Sequence, residues 1–292
     1  PSIIAMAIQA LYNVVDSIYV GRISTEALSA LSLAFPIQII LIGIGVGTGV
    51  GASSLISRRL GENNRKAAAN AAEHSIMITI VYGIIVAIIG FFYADSILHL
   101  FTNDKLLIQM GSEYISIILM GSIAMFFPMV TNNILRGEGN TFTPMIAMLI
   151  GSIMNIILDP FLIYGWWIFP RLEVAGAAAA TVFSRTVSGI FLIFIFFDER
   201  NELQIKLRDF SFRFQIIKEI YKVGFPAMVM QFLASFMLGG MNKILAGFGS
   251  TAIAAAGIYF RLQSFVFMPV LASIRDICLL WDITMDTIIQ QE

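Results

Sequence analysis

The residues of this chain best placed to do chemistry are carboxylates set alone in apolar sequence. From Met145 to Ile168 the only charge is Asp159, within "NIILDP". In "LYNVVDSIYVG" Asp16 is the only charge before Arg22. An ionised Asp at the centre of a membrane helix costs about 2.5–3.5 kcal/mol on insertion scales, so such residues face a bundle interior or a wet cavity and mark ion pathways. Asn155, four residues before Asp159, shares its helical face. Pro160 has no backbone N–H, so the carbonyl of Ile156 loses its helical partner and is free to face a cation or water. Carboxylate, amide oxygen and free carbonyl together suit a proton or a hard cation such as Na⁺. A buried Asp–Asn hydrogen bond that merely joins helices is the bland alternative. Two isolated carboxylates and a proline favour the ion site.

The solvent of these carboxylates follows from composition. The chain is 58% hydrophobic and 13% charged, with mean hydropathy +0.85, whereas soluble domains carry about 25% charged residues. About seven stretches have the roughly 20 apolar residues that span hydrocarbon, and an eighth looks incomplete. The reading is an all-α integral membrane protein. A single cysteine, Cys278, excludes an internal disulfide and a cysteine-based metal cluster. His74 and His99 lie far apart without metal-like spacing and read as interfacial packing. No cleavable signal peptide is evident. The chain starts at Pro1, already in an apolar segment, so its N-terminus is expected to be incomplete.

The hydropathy pattern predicts helices over 1–20, 28–57, 68–94, 107–135, 142–166, 174–197, 217–246 and 251–271. Basic residues in the breaks after the second, fourth and sixth helices number eleven, from Arg58 and Arg59 to Lys218 and Lys222; the other breaks hold three, Arg22, Lys105 and Arg171. This asymmetry predicts a cytoplasmic N-terminus and puts "YGWW" (164–167) at the outer interface. Asp16, Asp159 and Thr181, on three different helices, then share one depth, about 10 Å below the outer surface.

Helix two contains "GIGVGTGVGASS", with Gly43, Gly47 and Gly51 four apart on one face. Without a preceding strand this is no nucleotide loop; it is the small-xxx-small pattern that lets membrane helices approach closely. The chain also repeats itself. "SIYVGRISTEALSAL" (17–31) aligns with "NKILAGFGSTAIAAAG" (242–257) at an offset of 226, with Gly21 over Gly247 and Ser24 over Ser250. The seventh helix thus restarts the pattern of the first, which implies two six-helix bundles of like topology. Asn242 falls where Asp16 stands, so the ionisable chemistry belongs to the first bundle.

"LYNVVDSIYVGRISTEALSAL", "GASSLISRRLGENNRKAAANAAEHS", "ILRGEGNTFTPM", "NIILDPFLIYG" and "GAAAATVFSR" resemble the multidrug and toxic compound extrusion (MATE) family of cation-coupled antiporters, over residues 1 to about 270. The resemblance implies twelve helices in two lobes around a V-shaped cleft, and exchange of H⁺ or Na⁺ for small organic, often cationic, compounds. It places Asp16, Asn155, Asp159 and Thr181 at a cation site in the first lobe, with Na⁺ the only metal envisaged, and Pro1 at a bend of helix one. It implies no enzyme activity and no cofactor beyond the coupling ion. The expected partners are the substrates and the bilayer of the plasma membrane, not nucleic acid, and a full-length protein is expected to be monomeric. Phe126, Phe127, Met129, Met230 and Phe232 are candidates for adaptable apolar contacts in the cleft; core packing is the competing reading for each.

The expected division is a first lobe at 1–200, a cytoplasmic linker at 201–216, a partial second lobe at 217–270 and an aberrant tail at 271–292. After "RLQSFVFMPV" the glycine-rich continuation typical of the family is replaced by "LASIRDICLLWDITMDTIIQQE", so a truncated or frame-shifted copy is expected. Three rival functions stand beside antiport. A lipid-linked precursor flippase would line its cleft with basic residues, whereas only Arg185, Lys243 and Arg261 lie in apolar segments here. An intramembrane aspartyl protease would need a Gly-x-Gly-Asp setting, which neither aspartate has. The third is a membrane fragment that does not transport. The charge asymmetry carries a prediction of its own. With Cys278 replaced, single cysteines in "WWIFPRLE" should react with an impermeant thiol reagent added outside, and those in "DERNELQ" should not. The reverse labelling would overturn the shared depth of Asp16, Asp159 and Thr181.

Overall fold

In a computed structural model the described residues are 2–196 and 212–260, with 262, 263 and 267. Pro1, most of the linker and the tail 271–292 lie outside them. The described residues form α1 (Ser2–Gly21), α2 (Thr25–Gly61), α3 (Arg65–Leu98), α4 (Lys105–Met120), α5 (Ser122–Gly137), α6 (Phe142–Tyr164), α7 (Glu173–Phe196) and α8 (Phe214–Ala246), then a shorter apolar helix α9 (Ser250–Phe260). Five of them are long and apolar enough to cross a bilayer, and six if α4 and α5 form one bent span. The fold is that of a multi-pass integral membrane protein.

Local sequence sets the helix ends. Ser24 caps α2 by accepting from the N–H of Ala27, Asn64 caps α3 through Ala67, and Asp104 caps α4 through Leu106 and Leu107. Gly165, at φ 71°, ends α6 in the left-handed region that favours glycine. The helix expected over 107–135 is instead a pair bent by 53°. The break falls at Gly121–Ser122, the small-residue pair at which helices kink. Ser122 Oγ donates to the carbonyl of Gly83 on α3 (2.7 Å), while Gly121 makes room for Val182 of α7.

The centre of the bundle is α2, which packs against α3, α4, α5 and α8. Its five glycines from Gly43 to Gly51 serve two neighbours. Added Cβ atoms at Gly43, Gly47 and Gly51 would strike Gln231, Met228 and the carbonyl of Ile220, all on α8. At Gly45 and Gly49 they would strike Met129 and Asn133 on α5. Residues two apart point to nearly opposite sides of a helix, so one glycine run lets two helices in close. The antiparallel α2–α8 seam is then fastened by Ser235 Oγ to the Pro36 carbonyl (2.7 Å) and Asn242 Nδ2 to the Ser32 carbonyl (2.9 Å). Arg59 pairs with Glu219 (3.0 Å) at its far end.

His74 is buried on α3. Its Nδ1–H donates to the carbonyl of Asn70 (2.7 Å), and its Nε2 accepts the N–H of Arg213, the residue that starts α8 (2.9 Å).

Gly51→Ala should force the backbones of α2 and α8 apart at Ile220 and destabilise by about 1–3 kcal/mol. Gly240→Ala meets nothing within 4 Å, and should be neutral or stabilising by about 0.5–1 kcal/mol through helix propensity. Thermal unfolding in detergent checks both; equal midpoints for the two variants would mean that the seam does not depend on close approach.

Candidate functional site

Three helices meet at Asp159. Its residue is fully buried on α6, with Asn155, 2% exposed, one turn away. Asn155 Nδ2 donates to Asp159 Oδ1 (3.3 Å) and to Thr181 Oγ1 on α7 (3.4 Å). Asp16 on α1 lies near enough for its charge to act on Asp159. All four residues expected at a cation site therefore converge. The cause is packing: α1 and α7 both lie against α6, and small residues draw them in. Gly176 of α7 sits against the backbone of Leu162 and Ile163, Ser188 Oγ donates to the Ala147 carbonyl (2.8 Å), and Tyr164 OH donates to the Tyr19 carbonyl (2.8 Å).

The oxygens here are under-supplied with donors. Among the described residues, Asp159 Oδ2 and Asn155 Oδ1 are buried with no hydrogen-bond partner, as is Ser184 Oγ on α7. A lone negative charge in such a place is very costly, so the carboxyl group calls for a proton or a cation. Carboxylate, amide and hydroxyl oxygens are the donor types that hard cations accept, so the residues fit either ion.

Pro160 is buried within α6, which continues through it to Tyr164. The proline removes one donor without ending the helix. The five cleft candidates do not gather around one cavity. Phe126, 1% exposed, stands edge-on to Tyr82 with ring centroids 4.7 Å apart, and Met129 fills the space beside Gly45. Phe126 is core, and Met129, half-buried, takes the room that the missing side chain at Gly45 leaves. Phe127 faces Gly189 of α7, Phe232 lies in the α2–α8 seam against Gly43, and Met230 is exposed on another face of α8.

Beside Asn155 the structure adds residues that the sequence reading left out. A cavity the size of one water molecule is lined by Tyr12, Gly151, Ser152, Asn155, Thr181, Ser184 and Arg185. Arg185 Nη2 donates to Tyr12 OH (2.9 Å), and its guanidinium lies 5.8 Å from the centre of the Tyr12 ring. Spacing could have found them, since Tyr12 precedes Asp16, and Arg185 follows Thr181, by four residues each.

The family model MatE matches residues 1–161, more than half of the sequence. The chain belongs to the MatE family. A probable multidrug resistance protein NorM of Thermotoga maritima is 31% identical over 263 residues, which cover 90% of this chain and 56% of that protein. The multidrug export protein MepA of Staphylococcus haemolyticus is 32% identical over 267 residues, covering 91% and 58%. Among solved structures, the MATE multidrug transporter DinF-BH superposes with a TM-score of 0.88 at 33% identity, over 93% of this chain and 60% of that one. The chain thus spans less than two thirds of the length of these MatE relatives.

The Tyr164–Tyr19 bond ties α6 to the Asp16 end of α1. Tyr164→Phe should cost about 1 kcal/mol and raise hydrogen exchange across residues 16–21, leaving the centre of α6 unchanged. Unaltered protection of 16–21 would show that α1 is held by other contacts.

Proposed function

We propose that this chain carries the ion-coupling half of a secondary multidrug antiporter of the plasma membrane, which exchanges H⁺ or Na⁺ for small organic, often cationic, compounds. One observation supports this most strongly: within membrane-spanning helices, a fully buried Asp159 shares Asn155 with Thr181 and feels Asp16. A structural carboxylate would be matched by donors, and among the described residues Asp159 Oδ2 has none. The named relatives are multidrug resistance and export proteins, and chemistry on a covalent bond has no part in this reading. No cofactor is required beyond the coupling ion. The transporter works as a monomer with its N-terminus in the cytoplasm, residues 1–200 forming one lobe, 201–216 a linker and 217–270 the start of a second lobe.

In this mechanism the carboxyl cluster has two states. Neutralised by a proton or Na⁺, Asp159 and Asp16 no longer repel one another, and α1 closes on α6 and α7. Without the ion their repulsion favours a looser arrangement that admits substrate. Ion and substrate compete because each prefers a different conformation, and the coupling equals the difference in ion affinity between the two.

Asp159→Asn keeps the shape and removes the titratable charge. In a full-length version it should abolish gradient-driven efflux of a fluorescent organic cation at unchanged membrane expression, and in the purified chain it should remove any Na⁺- or acid-induced rise in melting temperature. A wild-type efflux rate at matched expression would overturn the assignment. A melting shift with Na⁺ at constant pH would identify Na⁺ as the ion, and one with acid alone would identify the proton.

A further inference from the structure

Among the described large apolar side chains, the two most exposed stand side by side in the loop between α6 and α7: Trp167 at 90% and Ile168 at 85%. Trp167 also holds its φ at 66°, in the left-handed region that a bulky residue adopts only at a steric cost. A turn that strains its backbone to display an indole points to a contact for that ring. The neck of the loop is closed. Leu172 N–H donates to the Leu162 carbonyl (3.0 Å), and the Arg171 backbone lies so close to Gly165 that a Cβ there would strike it. Arg171 pairs with Glu173 at this neck (3.2 Å), while the tip, "WWIFP" at 166–170, carries no charge. The tip folds back along α6 instead of standing off it. Trp166 N–H donates to the Phe161 carbonyl (3.2 Å), and the rings of Trp166 and Phe169 meet Phe161 edge-on, with centroids 6.1 and 6.3 Å away.

We propose that Trp167 and Ile168 insert among the glycerol and headgroup layer of the leaflet nearest Asp159, so that this loop anchors the end of α6 in phospholipid. Helices α6 and α7 are each long and apolar enough to cross a bilayer, so the membrane surface passes at the loop that joins them. Ile153 and Ile157 are exposed on α6, and Phe161 continues their stripe at the same spacing of four. The tip lies over the end of that stripe, and tip and stripe face one medium. Helix α6 packs against α1, α5 and α7, whereas α8 packs against α2 and α3, so the start of the second lobe lies against other helices. Tryptophan suits the layer because its ring body is apolar and its N–H still reaches water or phosphate. The charged neck then stays in water. Asp159 lies seven residues before Trp166, about 10 Å along the helix, so the anchor sets the depth of the carboxylate. Nothing in this contact depends on antiport.

Depth-resolved fluorescence quenching tests the anchor. The chain has three tryptophans, Trp166, Trp167 and Trp281, so Trp166→Phe with Trp281→Phe leaves Trp167 as the sole emitter. The full chain is reconstituted into phosphatidylcholine vesicles whose acyl chains carry bromine either near the headgroup or near the chain end. Parallel vesicles without bromine receive iodide on both sides of the membrane. Bromine near the headgroup should remove most of the Trp167 emission, and bromine near the chain end much less. Iodide should quench it more weakly than it quenches a free tryptophan derivative. Size-exclusion profiles check folding, and Trp281→Phe alone, which keeps both loop tryptophans, should give the same order. Stronger quenching by the deeper bromine would overturn the proposal. So would full quenching by iodide with no effect of bromine, which would put the ring in water. Protection from all three quenchers would overturn it as well, since protein and not lipid would then cover the ring.

Discussion

Lipid gives helices no hydrophobic reason to associate, since the tails are as apolar as leucine. What holds this bundle together is therefore contact at very short range, and α2 is where that contact is made. Glycine on two of its faces brings α8 to one side and α5 to the other. Hydroxyl and amide groups then find backbone carbonyls on a neighbouring helix: Ser235 to Pro36 and Asn242 to Ser32 from α8 to α2, Ser122 to Gly83 from α5 to α3, and Ser188 to Ala147 from α7 to α6. Each such bond averages about 0.6 kcal/mol in membrane proteins, too little alone to fix a fold. They act in numbers, once the glycines have let the backbones approach.

The same logic builds the ion site. Asp159 is buried because α1 and α7 close over α6, and they close through Gly176, Ser188 and Tyr164. A polar cluster in lipid needs a tightly packed wall around it, and a wall of small residues brings polar backbone with it. The site is thus a by-product of packing as much as of the aspartates themselves.

Much of this was legible in the sequence, for identifiable reasons. A lone charge in apolar sequence stands out, so Asp16 and Asp159 were visible, and helical spacing attached Asn155 to them. Thr181 followed from depth alone. The glycine run pointed to close approach, though not to two neighbours at once, because spacing gives faces and not the helices that meet them. The repeat was readable because a serine recurs where a helix begins: Ser24 caps α2 and Ser250 opens α9. The 53° bend between α4 and α5 was not legible, since a Gly–Ser pair is weak punctuation within apolar sequence. The aromatic and methionine candidates scattered because side-chain type says nothing of which helix faces which. In the sequence Arg185 is a stray cation, and only the structure sets it against Tyr12 and Ser184.

The α2–α8 seam is not uniform along its length. Toward Ser32 it is pinned by buried hydrogen bonds from Ser235 and Asn242, with Ser29 Oγ 2.7 Å from the carbonyl of Ser250. Toward Gly51 it is backbone laid on backbone. The polar links there are a long Thr48–Tyr221 contact of 3.3 Å and the partly exposed Arg59–Glu219 pair, which salt screens. An interface fixed at one end and smooth at the other behaves as a hinge. From Ser32 to Gly51 is nineteen residues, a lever arm of about 28 Å. A swing of about 5° at the pinned end then moves the glycine end by about 2.5 Å, enough to separate the touching backbones. The chain needs no flexible loop to turn a small local change into a wide opening, because the leverage is already in the spacing of its glycines.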